Sequence, residues 1–87
     1  MKVDWININE KLPKENEMCF FKSSSNAKYV AIGYFKHKTN EDGLLGTFIE
    51  GSCDKSGYES GGIGYNVWKD KDDNIGMIWR YVVFPFA

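Results

Sequence analysis

Three oxygen-bearing side chains alternate along one short segment, at Asp70, Asp72 and Asn74. This spacing is typical of the first ligands of an EF-hand calcium loop, which also needs Gly at its sixth position and a bidentate Glu at its twelfth. Here those two positions hold Ile75 and Tyr81. The segment therefore predicts a solvated hairpin turn, and we expect no metal site.

Four glycines lie close together in the second half of the chain, at positions 57, 61, 62 and 64. Such glycines let backbone N–H groups approach an anion, as in loops that bind nucleotide phosphates. A Walker loop continues with Lys and then Ser or Thr, and a Rossmann loop continues into a helix. Neither follows here, so the segment predicts a flexible surface loop, and we expect no bound cofactor.

A nucleophile would need a base beside it. The candidate nucleophiles are Cys53 and Ser52, and the only histidine is His37, which lies between Lys36 and Lys38. This charged neighbourhood is typical of the solvated end of a strand. Because no nucleophile, base and stabilising group can be assembled, we expect that the protein is not an enzyme.

Lysines interleave with aromatic residues between positions 20 and 38. The set comprises Lys22, Lys28, Lys36 and Lys38 together with Phe20, Phe21, Tyr29, Tyr34 and Phe35. A sheet bearing such residues can stack single-stranded bases over a basic groove. The same aromatic residues are also those from which a core must be built, and the formal net charge is only -1. Single-stranded nucleic-acid binding is therefore kept as an alternative function.

The composition predicts one folded domain spanning residues 1–87. The chain is 43% hydrophobic and 16% aromatic, which is sufficient for a packed core even in a small domain. The N-terminus shows no basic segment followed by a long apolar stretch, so we expect no secretory signal, no membrane span and a cytoplasmic location. Two cysteines are too few for a disulfide scaffold, and Cys19 lies in an apolar run.

The pattern of apolar residues predicts a mainly β fold, a small antiparallel sheet or partly closed barrel of about five strands with little or no helix. Strands are expected within residues 3–8, 17–22, 28–38, 44–50, 66–69 and 76–86, separated by turn residues. The segment 28–38 is apolar on both faces, which favours a central position. Residues 51–65 are rich in Gly and Ser and predict an irregular loop inserted in the domain.

Several short motifs occur in a familiar order: Trp5-Ile6, then Leu12-Pro13, then Ala-Ile-Gly-Tyr-Phe at 31–35, and Trp68. In this order they resemble a family of short phage and prophage proteins, the domain of unknown function numbered 551. The family often closes with Trp-x-Pro-x-Pro, where this chain has Tyr-Val-Val-Phe-Pro at 81–85. The resemblance implies a phage or mobile-element origin, and hence the cytoplasm of a bacterial host, and it supplies no catalytic residues.

We therefore expect a small phage-type accessory protein that binds a host or phage protein, acting as an inhibitor of a host defence system. The expected binding residues are Tyr58, Glu59, Tyr65, Asp70, Asp72 and Asp73. The alternatives are the nucleic-acid face defined above and a small-molecule or nucleotide-signal site at residues 61–64. The apolar C-terminal segment leaves a homodimer open.

Overall fold

The computed structural model describes residues 4–53 and 59–82, with only the backbone described at Cys53, Glu59 and Ser60. It contains one antiparallel sheet of six strands. They are β1 (Ile6–Asn7), β2 (Met18–Lys22), β3 (Ala31–His37), β4 (Leu44–Cys53), β5 (Glu59–Trp68) and β6 (Ile78–Tyr81), with a 3-10 helix at Lys71–Asn74. The predicted mainly β architecture is confirmed, and the sheet does not close into a barrel.

The strand order across the sheet is β1-β6-β2-β3-β4-β5. Strands β2, β3 and β4 each pair with the next strand along the chain, whereas β6 returns to lie between β1 and β2. The central position predicted for β3 is confirmed, since β2 and β4 flank it. The two edges of the sheet are formed by β1, which has two residues, and β5, which has ten.

The hairpin between β3 and β4 is closed by Asn40 and Gly43. The Asn40 side chain accepts hydrogen bonds from the backbone N–H groups of Asp42 and Leu44, both at 3.0 Å. Gly43 has a φ of 91°, a conformation that side chains with a Cβ rarely adopt. These residues reverse the chain and so set the register in which β4 returns along β3.

The core lies on one face of the sheet, which curls around it. Phe21 of β2 and Phe48 of β4 stack with ring centroids 4.2 Å apart, although β3 lies between their strands. The residue of β3 that pairs with Phe21 is the small Ala31. The cluster of fully buried side chains comprises Ile8, Cys19, Phe21, Phe35, Phe48, Val67 and Trp79.

The segment between β1 and β2 is fixed onto this core by hydrogen bonds from large side chains. The indole N–H of Trp79 donates to the Lys11 carbonyl at 2.8 Å. The Lys14 N–H donates to the Tyr81 hydroxyl at 2.9 Å, and Pro13 is fully buried between these contacts. Because buried Trp and Tyr rings still need partners for their polar atoms, this arrangement satisfies the core and orders the segment.

Two predictions about connections are wrong. Residues 51–53 and 59–65 do not belong to an irregular loop: β4 continues to Cys53, and β5 begins at Glu59. Residues 70–74 do not close a hairpin, because β5 and β6 are not neighbours in the sheet. The segment is a 3-10 helix in a crossover, capped by the Asp70 carboxylate, which accepts from the Asp72 N–H.

Candidate functional site: the β5 edge

The longest exposed edge of the sheet is β5, whose one neighbour in the sheet is β4. An edge strand presents a row of backbone N–H and C=O groups that can pair with another strand. Proteins usually protect such an edge with charged residues such as Lys, with Pro, with a β-bulge or with a very short strand. The ten residues of β5 contain no Lys, Arg or Pro, and the pairing with β4 is unbroken from Gly64 to Val67. This part of the edge is therefore well suited to accept an additional strand.

One end of the edge is closed by Asn74. The Trp68 N–H donates to Asn74 Oδ1 at 2.9 Å, and Asn74 Nδ2 donates to the Trp68 carbonyl at 2.5 Å. The backbone groups of Trp68 thus point away from β4, while the N–H of the next residue, Lys69, donates toward β4 at the Gly43 carbonyl. Because this direction alternates along an antiparallel strand, the N–H and C=O groups of Asn66 and Gly64 also point outward.

A bulge interrupts β5 near its middle. Ile49 pairs with Gly64, but Gly51 pairs with Gly61, so β5 holds one residue more than β4 between these pairs. A Cβ at Gly61 would lie 2.6 Å from the Ile49 Cγ2 atom. Glycine at position 61 is therefore required by close packing against β4, and the bulge turns the neighbouring residues toward the surface.

A cleft of about 350 Å³ opens at this bulge. It is lined by Glu50, Gly51, Gly61, Gly62 and Ile63. A Cβ at Gly62 would meet no atom nearer than the Glu50 carbonyl oxygen at 3.8 Å, so its missing side chain leaves open space. The Ile63 side chain is 63% exposed. The cleft thus has an apolar wall formed by Ile63, a floor formed by glycines and one carboxylate, that of Glu50.

The Glu50 carboxylate is positioned by Tyr29. The Tyr29 hydroxyl donates to Glu50 Oε1 at 2.5 Å, and the Tyr29 side chain is 63% exposed. This hydrogen bond, followed by the negative charge of Glu50, raises the pKa of the Tyr29 hydroxyl above its usual value of 10.0. Within the part of the chain that the structure describes, Glu50 forms no ion pair. One carboxylate oxygen is held by Tyr29, and the other faces no described cation.

The predicted binding residues do not form one patch. Tyr58 lies outside the described residues, and so does the side chain of Glu59. Tyr65 is half-buried and packs against Phe21, with ring centroids 5.3 Å apart. Asp70, Asp72 and Asp73 are exposed, but they follow the far end of β5. A strand of ten residues spans roughly 30 Å, so the acidic turn and the start of β5 are separate surfaces.

Most of the aromatic rings in the predicted nucleic-acid face are not available for stacking with bases. Lys28 and Lys38 are exposed, and Lys22 and Lys36 are half-buried. Of the aromatic residues grouped with them, three are buried, namely Phe21, Tyr34 and Phe35. Phe20 is half-buried and Tyr29 is exposed. Few rings remain on which bases could stack.

A second surface groove, of about 400 Å³, is lined by Glu17, Met18, Ile32, Tyr81 and Val82. It has an apolar floor, but no described feature indicates what would cover it. Within residues 4–53 and 59–82, no three His, Cys, Asp or Glu side chains converge on a metal site. In the same ranges, no helix is long and apolar enough to cross a lipid bilayer.

No protein-family model, no curated protein and no solved structure matches this chain. The resemblance to the domain of unknown function numbered 551 therefore stays a prediction from the motifs. The sequence analysis named residues 61–64 as an alternative small-molecule site, but it did not predict the contact between Tyr29 and Glu50 or the burial of Asn74. Tyr29 and Glu50 are 21 positions apart, and no local pattern connects them. Asn74 lies in a segment, 70–74, whose polar composition is typical of a solvated turn, although the Asn74 side chain is only 1% exposed.

Proposed function

We propose that this protein acts by binding another protein, one extended segment of which adds to the sheet as a seventh strand along β5. The observation that carries the proposal is the ten-residue edge without Lys, Arg or Pro. Strand addition uses backbone hydrogen bonds for affinity and pockets for alternate side chains for specificity. The β5 edge offers the outward backbone groups of Asn66 and Gly64 and an adjoining cleft.

The partner that we propose is a host or phage protein, and the role is that of a small phage-type accessory protein inhibiting a host defence system. The identity of the partner and the inhibitory role are supported only by the order of the motifs Trp5-Ile6, Leu12-Pro13, 31–35 and Trp68 along the chain. A domain without catalytic groups can inhibit by occupying a surface that its partner needs. Nucleotide binding at residues 61–64 is disfavoured, because the Glu50 carboxylate in the same cleft would repel a phosphate.

The experiment compares proteins captured from bacterial lysate by the tagged wild type, by Asn66→Pro and by Asn66→Thr. Proline removes the outward N–H of residue 66 and is tolerated on edge strands, while threonine keeps that N–H. We expect a stoichiometric partner that survives nuclease treatment, binds wild type and N66T, and is lost with N66P. Equal capture by N66P, or recovery of nuclease-sensitive material alone, would contradict strand addition. Thermal unfolding of each variant verifies that it is folded.

A further inference from the structure

The backbone bonds of the β5 edge are too few to give useful affinity alone. Each backbone hydrogen bond contributes little net free energy, because it replaces hydrogen bonds to water, so four new bonds correspond to a Kd of only about 1 mM. The entropy lost on association weakens binding further. A partner strand therefore needs a side-chain anchor next to the edge, and the cleft at Glu50 is the nearest described cavity.

We infer that this cleft receives a Lys or Arg side chain from the partner strand, an inference that rests on the proposed strand addition. Strands are spaced about 4.8 Å apart, so an added strand lies roughly 10 Å from β4, which carries Glu50. Lys and Arg carry their charge at the end of a long apolar stem. The stem crosses the open floor at Gly62 beside Ile63, and the cationic head meets the Glu50 carboxylate.

The charge distribution agrees with this occupant. Among the described residues that line the cleft, Glu50 is the one with a charged side chain. Within the described residues the Glu50 carboxylate accepts one hydrogen bond, from Tyr29, and a carboxylate can accept several more. An Arg or Lys head therefore gains a charge-assisted hydrogen bond that a neutral side chain cannot make. The exposed Tyr29 ring supplies a further surface for the cation.

A second copy of this chain does not fit the cleft. If two copies of β5 paired edge to edge, the side chains brought to the cleft would come from residues 59–68. That segment contains no Lys or Arg, so Glu50 would gain no cation. The occupant is accordingly a strand from a different protein, one that carries a basic residue among β-forming neighbours.

The experiment is a selection of displayed random ten-residue peptides against the wild type, followed by affinity measurement of the best peptide with purified variants. We expect the selected peptides to share one Lys or Arg position within a β-forming pattern. Glu50→Gln should remove that preference and weaken the best peptide about tenfold or more, as loss of a hydrogen bond to a charged group implies. Glu41→Gln, which removes one charge from an exposed turn, should leave affinity within about twofold.

Two further variants separate this inference from the function on which it rests. Gly62→Leu fills the floor of the cleft while keeping Glu50, and it should weaken the best peptide as much as E50Q. Asn66→Pro should abolish binding altogether. Two outcomes would overturn the inference and leave strand addition standing. In the first, the selected peptides lose binding to N66P but share no Lys or Arg position. In the second, they share such a position, but E50Q prefers it as strongly as the wild type does. Absence of any N66P-sensitive peptide overturns strand addition. Concentration-dependent dimerisation that N66P abolishes would place a second copy on the edge and overturn the inference.

Discussion

Asn74 holds Trp68 through two hydrogen bonds of the kind that a neighbouring strand would make. The amide oxygen accepts from the Trp68 N–H, and the amide nitrogen donates to the Trp68 carbonyl. The same nitrogen also donates to Asn9 Oδ1 at 3.1 Å. Asn74 thus connects the end of β5 to the residues that follow β1, so the two edges of the open sheet are joined at one corner.

Replacing Asn74 with Ala should therefore lower the free energy of unfolding by about 2–4 kcal/mol, since it leaves two backbone groups of Trp68 without their partners. Urea denaturation followed by tryptophan fluorescence measures this change. Asn66→Ala is the matched control, because Asn66 is exposed and has one side-chain bond, from Thr47 Oγ1. Its cost should be about 1 kcal/mol or less. Equal effects in the two variants would contradict the assigned role of Asn74.

Gly33→Ala should prevent folding or cost at least about 3 kcal/mol. A Cβ at Gly33 would lie 2.0 Å from the Ile49 carbonyl oxygen, a backbone atom that cannot move without displacing β4. Gly62→Ala is the control within the same sheet, and its stability should change by no more than about 1 kcal/mol. Both are measured by thermal and urea unfolding. A G33A variant as stable as wild type would be incompatible with the register of β3 and β4.

The hydroxyl of Tyr29 should titrate at higher pH than it would without Glu50. Its pKa is raised because the hydroxyl donates to the carboxylate and because the negative charge disfavours the phenolate. Tyrosinate absorbance near 295 nm, taken as the difference between wild type and Tyr29→Phe, isolates this residue. In a Glu50→Gln background the same difference should shift to lower pH. An identical titration in both backgrounds would mean that the two side chains do not meet.

Cys19 should resist thiol reagents in the folded protein. Burial, with a smaller contribution from Glu17, raises the pKa of its thiol from 9.0 to about 12. In a Cys53→Ser background, which removes the other thiol, a disulfide reagent at pH 8 should react only as fast as the protein unfolds. Rapid labelling of the folded protein would show that Cys19 is accessible.

The same shift makes stability depend on pH in alkaline solution. The folded state keeps the Cys19 proton that the unfolded state loses above its pKa of about 9. The free energy of unfolding should therefore fall as the pH rises from about 9 toward 12. Comparing C53S with the double variant that also carries Cys19→Ala isolates this contribution, since the double variant lacks it.

The sequence predicted those elements whose signals are local. Alternation and turn residues located β2, β3 and the start of β4, and apolar residues on both faces placed β3 in the centre. The prediction of an irregular loop at 51–65 was wrong because its glycines were interpreted as evidence of a flexible backbone. At Gly61 the glycine is instead required by the Ile49 side chain of the neighbouring strand. That contact depends on a bulge between distant segments, which no local pattern shows.

The candidate site was beyond prediction for a related reason. The side chains of Tyr29 and Glu50 meet only because β3 and β4 pair in one particular register. The segment 70–74 was wrongly predicted to close a hairpin, because the place of the strand that follows it is set by the pairing of β6 with β1 and β2. Such nonlocal pairings decide which edge of the sheet stays free.

The insertion of β6 between β1 and β2 has a consequence for how the protein is made. Strands β2 to β5 can pair one after another as they leave the ribosome, whereas β1 pairs only with β6, at Ile6 with Trp79 and Asn7 with Ile78. Roughly 70 residues must be translated between these partners, which takes about 4–14 s at bacterial and eukaryotic rates of synthesis. Throughout that interval β2 has an unpaired side and the pocket for Trp79 is empty. The apolar side chains that pack around Trp79 therefore lack this cover until β6 has been synthesised.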